Sequence, residues 1–233
     1  MVAQPRVTGF TLIELLISIS VMSMVIGIST YAFALYTRHW DGQMGSFDRA
    51  AGQLQRLQLL SVAIRDSVAW LVVDEKGKDL GFYFLGRDEG MTFVTESPIF
   101  DAHGLAVIRV FREREGRAWR LVYEEAPLDG VLLRKASQVL PFSNRLVLLR
   151  GLSSVKFEYF GWSSRAARLM EGESAGRETQ QWFSDYDGIG RQHQPSRIAI
   201  QLGDRDDDQI ILDIGEKDEE IYSRAVGANN ETD

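Results

Sequence analysis

The chain of 233 residues has no cysteine. That excludes disulfide staples, thiol catalysis and zinc sites built on thiolates. Basic residues are in deficit, 26 Lys+Arg against 33 Asp+Glu for a formal net charge of −7. Nucleic acid is therefore not an expected partner, since affinity for a phosphate backbone needs clustered Lys and Arg. The three histidines, His39, His103 and His193, are scattered, and no pair of them has the spacing of a helical metal site. Gly188-Ile189-Gly190 lacks the rest of a dinucleotide fingerprint, and neither a P-loop nor a G-x-S-x-G elbow occurs. These absences lead to the expectation of a protein that is not an enzyme and carries no cofactor. With 45% hydrophobic and 25% charged residues the composition is that of a globular protein, not of a disordered or fibrous one.

Formal charge is missing altogether between Leu15 and Tyr36, a run of 22 residues reading LLISISVMSMVIGISTYAFALY. As a helix at about 1.5 Å per residue it would extend roughly 33 Å, enough for a hydrocarbon core of about 30 Å. The run is too long for the apolar part of a cleaved secretory signal, and its distinctive residues stand before it instead of after it. A leader of nine residues, MVAQPRVTG, carries one basic residue, Arg6, and ends in Gly9. Phe10-Thr11-Leu12-Ile13-Glu14 follows and sets one carboxylate at the start of an apolar helix.

Glu14 is the most informative residue here. An ionisable side chain at membrane depth costs a few kcal/mol and signals a partner. No Lys or Arg follows it until Arg38. A cut after Gly9 would give Phe10 a new α-amine, with a reference pKa of about 7.7–8.0. A neighbouring copy displaced by one helical turn could then bring that amine to Glu14 and turn a cost into an assembly register.

Gly9-Phe10-Thr11-Leu12-Ile13-Glu14 followed by a long apolar helix resembles the class III signal of type IV pilins and type II secretion pseudopilins. The resemblance implies that a prepilin peptidase cleaves between Gly9 and Phe10, that Phe10 becomes N-methylated, and that Glu14 guides filament assembly. The helix-kinking proline of many major pilins is missing around Thr30-Tyr31.

Past Tyr36 the pattern Met44, Phe47, Ala51, Leu54, Leu57, Ile64, Val68, Leu71 predicts that the helix continues amphipathically to about residue 72. A helix from Phe10 to Trp70 would be roughly 90 Å long. Gly42 and Gly45 would weaken it locally. Thereafter the period changes. Strands are expected at Leu80–Leu85, Met91–Thr95, Ala106–Phe111, Trp119–Tyr123, Val131–Arg134, Val155–Phe160, Ile198–Leu202 and Ile210–Ile214, with turns at Glu115-Gly116 and Asp129-Gly130. The fold class is α+β, a long N-terminal transmembrane and amphipathic helix packed on antiparallel β-sheets. The expected divisions are 1–9 leader, 10–36 transmembrane helix, 37–72 continuing helix, 73–215 β-rich domain and 216–233 polar, disordered tail. The stretch from Trp162 to Pro195 reads as a flexible surface loop, with an ordered loop at a partner contact as the alternative that Trp182, Phe183 and Tyr186 favour. Asp204, Asp206 and Asp208 are calcium candidates, although they lack the offsets of an EF-hand and a solvated hairpin turn is the simpler reading.

Within the pilin-like class, the length and the downstream half resemble the minor pseudopilin J family of type II secretion. The resemblance rests on Val107–Tyr123, Leu148-Leu149-Arg150-Gly151-Leu152, Val155–Phe160, Trp162, Trp182 and Pro195-Ser196-Arg197-Ile198-Ala199-Ile200. It implies two small antiparallel sheets and a place at a pseudopilus tip with other minor pseudopilins. Further partners would be the prepilin peptidase, the inner membrane, and secreted substrates met in the periplasm, where the C-terminal domain would lie. A minor type IV pilin and a signal-anchored periplasmic binding protein are the alternatives.

Overall fold

The computed structural model describes residues 11–74, 76–77, 80–101, 104–170, 180–205 and 207–214, with backbone alone at 37–50 and 170. The chain divides into two compact units, Met1–Gly52 and Gln53–Asp233. Helix α1, Leu12–Arg65, supplies the first unit and the first element of the second.

The second unit is built from antiparallel ladders. Its strands are β1 (Ser67–Val68), β2 (Leu71–Val73), β3 (Leu80–Phe82), β4 (Phe84–Arg87), β5 (Gly90–Thr95), β6 (Ala106–Glu115), β7 (Ala118–Pro127), β8 (Asn144–Leu152), β9 (Lys156–Gly161), β10 (Gln181–Phe183), β11 (Tyr186–Asp187), β12 (Arg197–Gln201) and β13 (Gln209–Asp213). Short helices α2 (Arg165–Met170) and α3 (Gly188–Arg191) interrupt them. A seven-stranded sheet runs β11-β4-β5-β6-β7-β8 with β1 beside β5. A four-stranded sheet runs β10-β9-β12-β13, and β2 pairs β3 in a third. The α+β class therefore holds, with three sheets where the resemblance implied two.

Alternation explains the core. Phe84, Phe93, Ile108, Val110, Leu121 and Tyr123 point from one face of the seven-stranded sheet. They meet Phe157, Tyr159, Ile198 and Ile200 of the four-stranded sheet and Leu60, Ala63 and Ile64 of α1. On the other face Val94, Val107 and Ala126 are covered by Leu133 and Leu140 from the connection between β7 and β8. Gly116, at φ 65°, sits in the two-residue turn joining β6 to β7. That is where a II′ hairpin turn requires a residue of positive φ.

The helix stops at Arg65, short of the expected 72, because its last carbonyls are taken by the sheet. The Thr95 hydroxyl lies 2.7 Å from the Ala63 carbonyl oxygen and 3.2 Å from that of Asp66. The Glu96 N–H donates to the Asp66 carbonyl, and Ser67 and Val68 pair with Thr95 and Val94. The helical spacing of Val68 and Leu71 therefore belonged to strands. Leu80–Leu85 is two strands of different sheets, parted at Tyr83, whose N–H bonds the Trp70 carbonyl. Val131–Arg134 is no strand. The indole N–H of Trp70 donates to the Leu133 carbonyl and the Val73 N–H to that of Arg134, which seats Leu133 in the core as a loop residue.

The flexible-loop expectation for 162–195 is also corrected in its described part. Trp182 and Phe183 pair with Phe160 and Tyr159, Tyr186 and Asp187 pair with Gly86 and Leu85, and Tyr186 is fully buried. Residues 171–179 lie outside the described residues.

Candidate assembly and membrane site

The apolar stretch Leu12–Tyr36 spans 25 residues of mean hydropathy 2.2, none of them buried. Four of its five serine and threonine hydroxyls are closed onto the helix backbone. The hydroxyls of Ser18, Ser20, Ser23 and Thr30 donate to the carbonyls of Glu14, Leu16, Ile19 and Ile26, each at 2.8–2.9 Å. Such bonding to the carbonyl four residues back satisfies a hydroxyl without water or a neighbour, as an apolar solvent demands.

Glu14 occupies the first turn. Its Oε2 accepts from the Thr11 N–H at 3.4 Å and from the Thr11 hydroxyl at 3.2 Å, while the Glu14 N–H donates to the Thr11 carbonyl at 3.1 Å. This is one half of a capping box, a role for Glu14 that the T-x-x-E spacing already carries but that the membrane argument passed over. A carboxylate there also faces the positive end of the helix dipole. Gly9 and Phe10, the expected cleavage and methylation positions, lie outside the described residues, as does the leader.

Residues 5–30 match the family model described as Prokaryotic N-terminal methylation motif. That motif is the prepilin-type signal of the pilin and pseudopilin class, subunits cut by a prepilin peptidase and polymerised into pilus-like filaments. It covers the helix start and stops well before the sheets. No match was found among curated proteins, and none among solved structures. One apolar N-terminal helix is consistent with a single-pass anchor.

The remaining candidates fare differently. Asp204 and Asp208 flank the turn between β12 and β13, and Asp206 lies outside the described residues. Among the described residues, which leave out Asp206, no three His, Cys, Asp or Glu come together as a metal site. His39 has no described side chain and His103 lies outside the described residues. His193 is buried, with Nε2 at 2.8 Å from Arg168 Nη1 and Nδ1 against the Gln194 carbonyl. Since a guanidinium only donates, Nε2 accepts and Nδ1 carries the proton, which makes this a structural histidine. The polar tail from Glu216 lies outside the described residues.

The outward face of the seven-stranded sheet carries a ladder of ion pairs that sequence reading did not anticipate. Arg109, Glu124, Arg145, Glu113, Arg120, Glu115 and Arg150 form one unbroken alternation of sign across β6, β7 and β8. The hydrogen bond from Arg145 is the largest cause holding the Glu113 carboxyl below its ordinary value. Apart from the buried Glu124, the members of the ladder are partly exposed, so it shapes a surface more than it stabilises a fold.

Proposed function

We propose that this chain is a minor pseudopilin of a type II secretion system, a structural subunit at the pseudopilus tip that supports protein export across the outer membrane. The single observation that carries the reading is the match of residues 5–30 to the methylation motif at the head of an uncharged helix. In this reading the prepilin peptidase cuts after Gly9 and N-methylates Phe10. Leu12–Tyr36 then crosses the inner membrane and the sheets lie in the periplasm. Apolar helices of neighbouring subunits pack side by side, and Glu14 of one subunit meets the Phe10 amine of the next. The apolar composition of the run and its inward-bonded hydroxyls support this, since both leave an apolar surface for a neighbour or for lipid. The choice of a minor subunit rests on the length of the chain, and that of the secretion machine over a pilus on the resemblance of its downstream half.

A clean deletion scored for exoprotein secretion and for surface pili tests that choice. Lost secretion with normal piliation is the expected outcome. Lost pili with intact secretion moves the chain to the minor type IV pilins. A chain still carrying its leader in cells with an active prepilin peptidase would sink both readings in favour of a signal-anchored binding protein.

A further inference from the structure

Beyond the ion-pair ladder, the outward face of the seven-stranded sheet holds a trough. Two adjoining hollows of about 340 and 470 Å³ share Leu85, Thr92 and Arg109 in their lining. Strand pairing explains the shape. The outward residues of β5 are Thr92 and Gly90, while β4 contributes Leu85 and Arg87 and β6 contributes Arg109 and Phe111. Small side chains on the middle strand between larger ones on its neighbours leave a channel roughly 10 Å between ridges, twice the strand spacing. Gly90 cannot fill it, because a Cβ there would meet the Val110 carbonyl at 2.5 Å and Phe111 at 2.6 Å. Tyr83, Leu140 and Phe142 line one end, and Glu89 and Arg112 the other.

Several polar groups along this channel have no partner within the described residues and are open to solvent. Arg109 is stacked 4.4 Å from the Phe142 ring centroid and paired with Glu124, and Arg120, Arg145 and Arg150 of the same face also meet carboxylates. Arg87 meets none among the described residues, and its side chain is exposed. The Tyr83 and Thr92 hydroxyls line the hollow without a hydrogen-bond partner among the described residues. On the rim, the N–H groups of Ser137 and Val139 donate to no described acceptor, and Val139 is 94% exposed. A strand-wide channel of mixed apolar and charged lining, with an unpaired cation, two hydroxyls open to it and exposed backbone donors on its rim, matches an extended polypeptide, whose own backbone and alternating side chains offer both kinds of contact.

We propose that this trough binds an extended segment of a partner protein, apolar in its alternate residues and with a carboxylate placed on Arg87. Charge complementarity selects the acidic partner. The site stands independently of the secretion reading, since it lies wholly within the second unit and uses no residue of the motif.

The test uses the full chain in detergent micelles and a fluorescein-labelled heptapeptide, Val-Thr-Val-Glu-Val-Thr-Val, alongside the same peptide with Lys for Glu. Fluorescence polarisation should show saturable binding of the Glu peptide and at least tenfold weaker binding of the Lys peptide. Arg87→Glu should invert that preference, and Thr92→Trp, which fills the channel, should abolish binding of both. Both substitutions are on the surface, and unchanged thermal melting confirms that the fold survives. No saturable binding, or binding indifferent to Arg87→Glu and Thr92→Trp, overturns the proposal.

Discussion

Glu14 holds two roles that a single substitution would confuse. It caps α1 through Thr11, and in the proposed filament it also supplies a charge to a neighbour. Glu14→Gln keeps an acceptor for the Thr11 N–H and hydroxyl while removing the charge, whereas Glu14→Ala removes both. Processing should be normal in both variants, read from the mass of the mature chain. Co-purification with other pilin-like subunits should fall severalfold in both. Wild-type incorporation of the Gln variant alone would assign Glu14 to the cap and not to assembly. Elsewhere single residues settle local geometry. The Tyr159 hydroxyl accepts from the Arg87 N–H at 3.1 Å and lies 2.8 Å from the carbonyls of Arg87 and Gly90, so it organises the turn between β4 and β5 from the opposite sheet. Gly86 is glycine because a Cβ would strike that same ring at 2.6 Å.

The end of α1 shows how an element's limit is decided by its surroundings. Nothing between Ile64 and Val68 breaks a helix by composition, and there is neither glycine nor proline there. The stop comes from Thr95, fully buried and bonded toward Ala63 and Asp66, and from the Ser97 hydroxyl, which donates to the Asp66 carboxylate at 2.7 Å. Thr95→Val preserves shape but leaves the Ala63 carbonyl without its hydroxyl donor and the Ser97 N–H without the acceptor it has in Thr95, while the Asp66 carbonyl keeps the Glu96 N–H. A loss of about 1–3 kcal/mol is expected, measured by urea unfolding of the full chain in detergent. An unchanged midpoint would show that water replaces the hydroxyl at no cost. The same reasoning explains why β6 and β7 were legible from sequence and β1, β2, β10 and β11 were not. The long hairpin has alternation over many residues and a glycine at its turn, whereas strands of two or three residues have too few positions for a period.

At the scale of the whole molecule, the core is rich in tyrosine that must remain un-ionised. Burial pushes the Tyr83, Tyr123 and Tyr159 hydroxyls above the ordinary value of 10.0, and a hydrogen bond to the Glu125 carboxylate reinforces the rise at Tyr123. A folded value above the unfolded one means that the native state binds more protons in the interval between them. Stability is then intact below about pH 10 and falls as the pH rises beyond it, by up to about 1.4 kcal/mol per pH unit for each tyrosine. Thermal melting between pH 8 and 11 should show a plateau followed by a steep decline. A flat profile through pH 11 would mean that these hydroxyls ionise in place. Acid should act mildly through Glu113, whose lowered value gives a stabilisation present above its unfolded value and lost as pH falls through the folded one.

The sequence by itself determined the features that depend on neighbours along the chain. These are the uncharged span, the prepilin-type signal with its carboxylate, the long hairpin around Gly116, and the α+β class that follows from one change of period. Each is a short-range pattern, readable because it repeats or because its residues stand together. Tertiary structure alone decided where α1 ends, that Val131–Arg134 is a loop under Trp70, that Tyr186 lies in the core, and that Arg87 lines a channel on the outward face of the sheet. Those outcomes turn on hydrogen bonds and packing between residues tens of positions apart, as with Thr95 and Ala63 or Trp70 and Leu133. No local pattern encodes such a pairing, because the partner that satisfies a carbonyl or covers a ring is chosen only when the sheets close on one another.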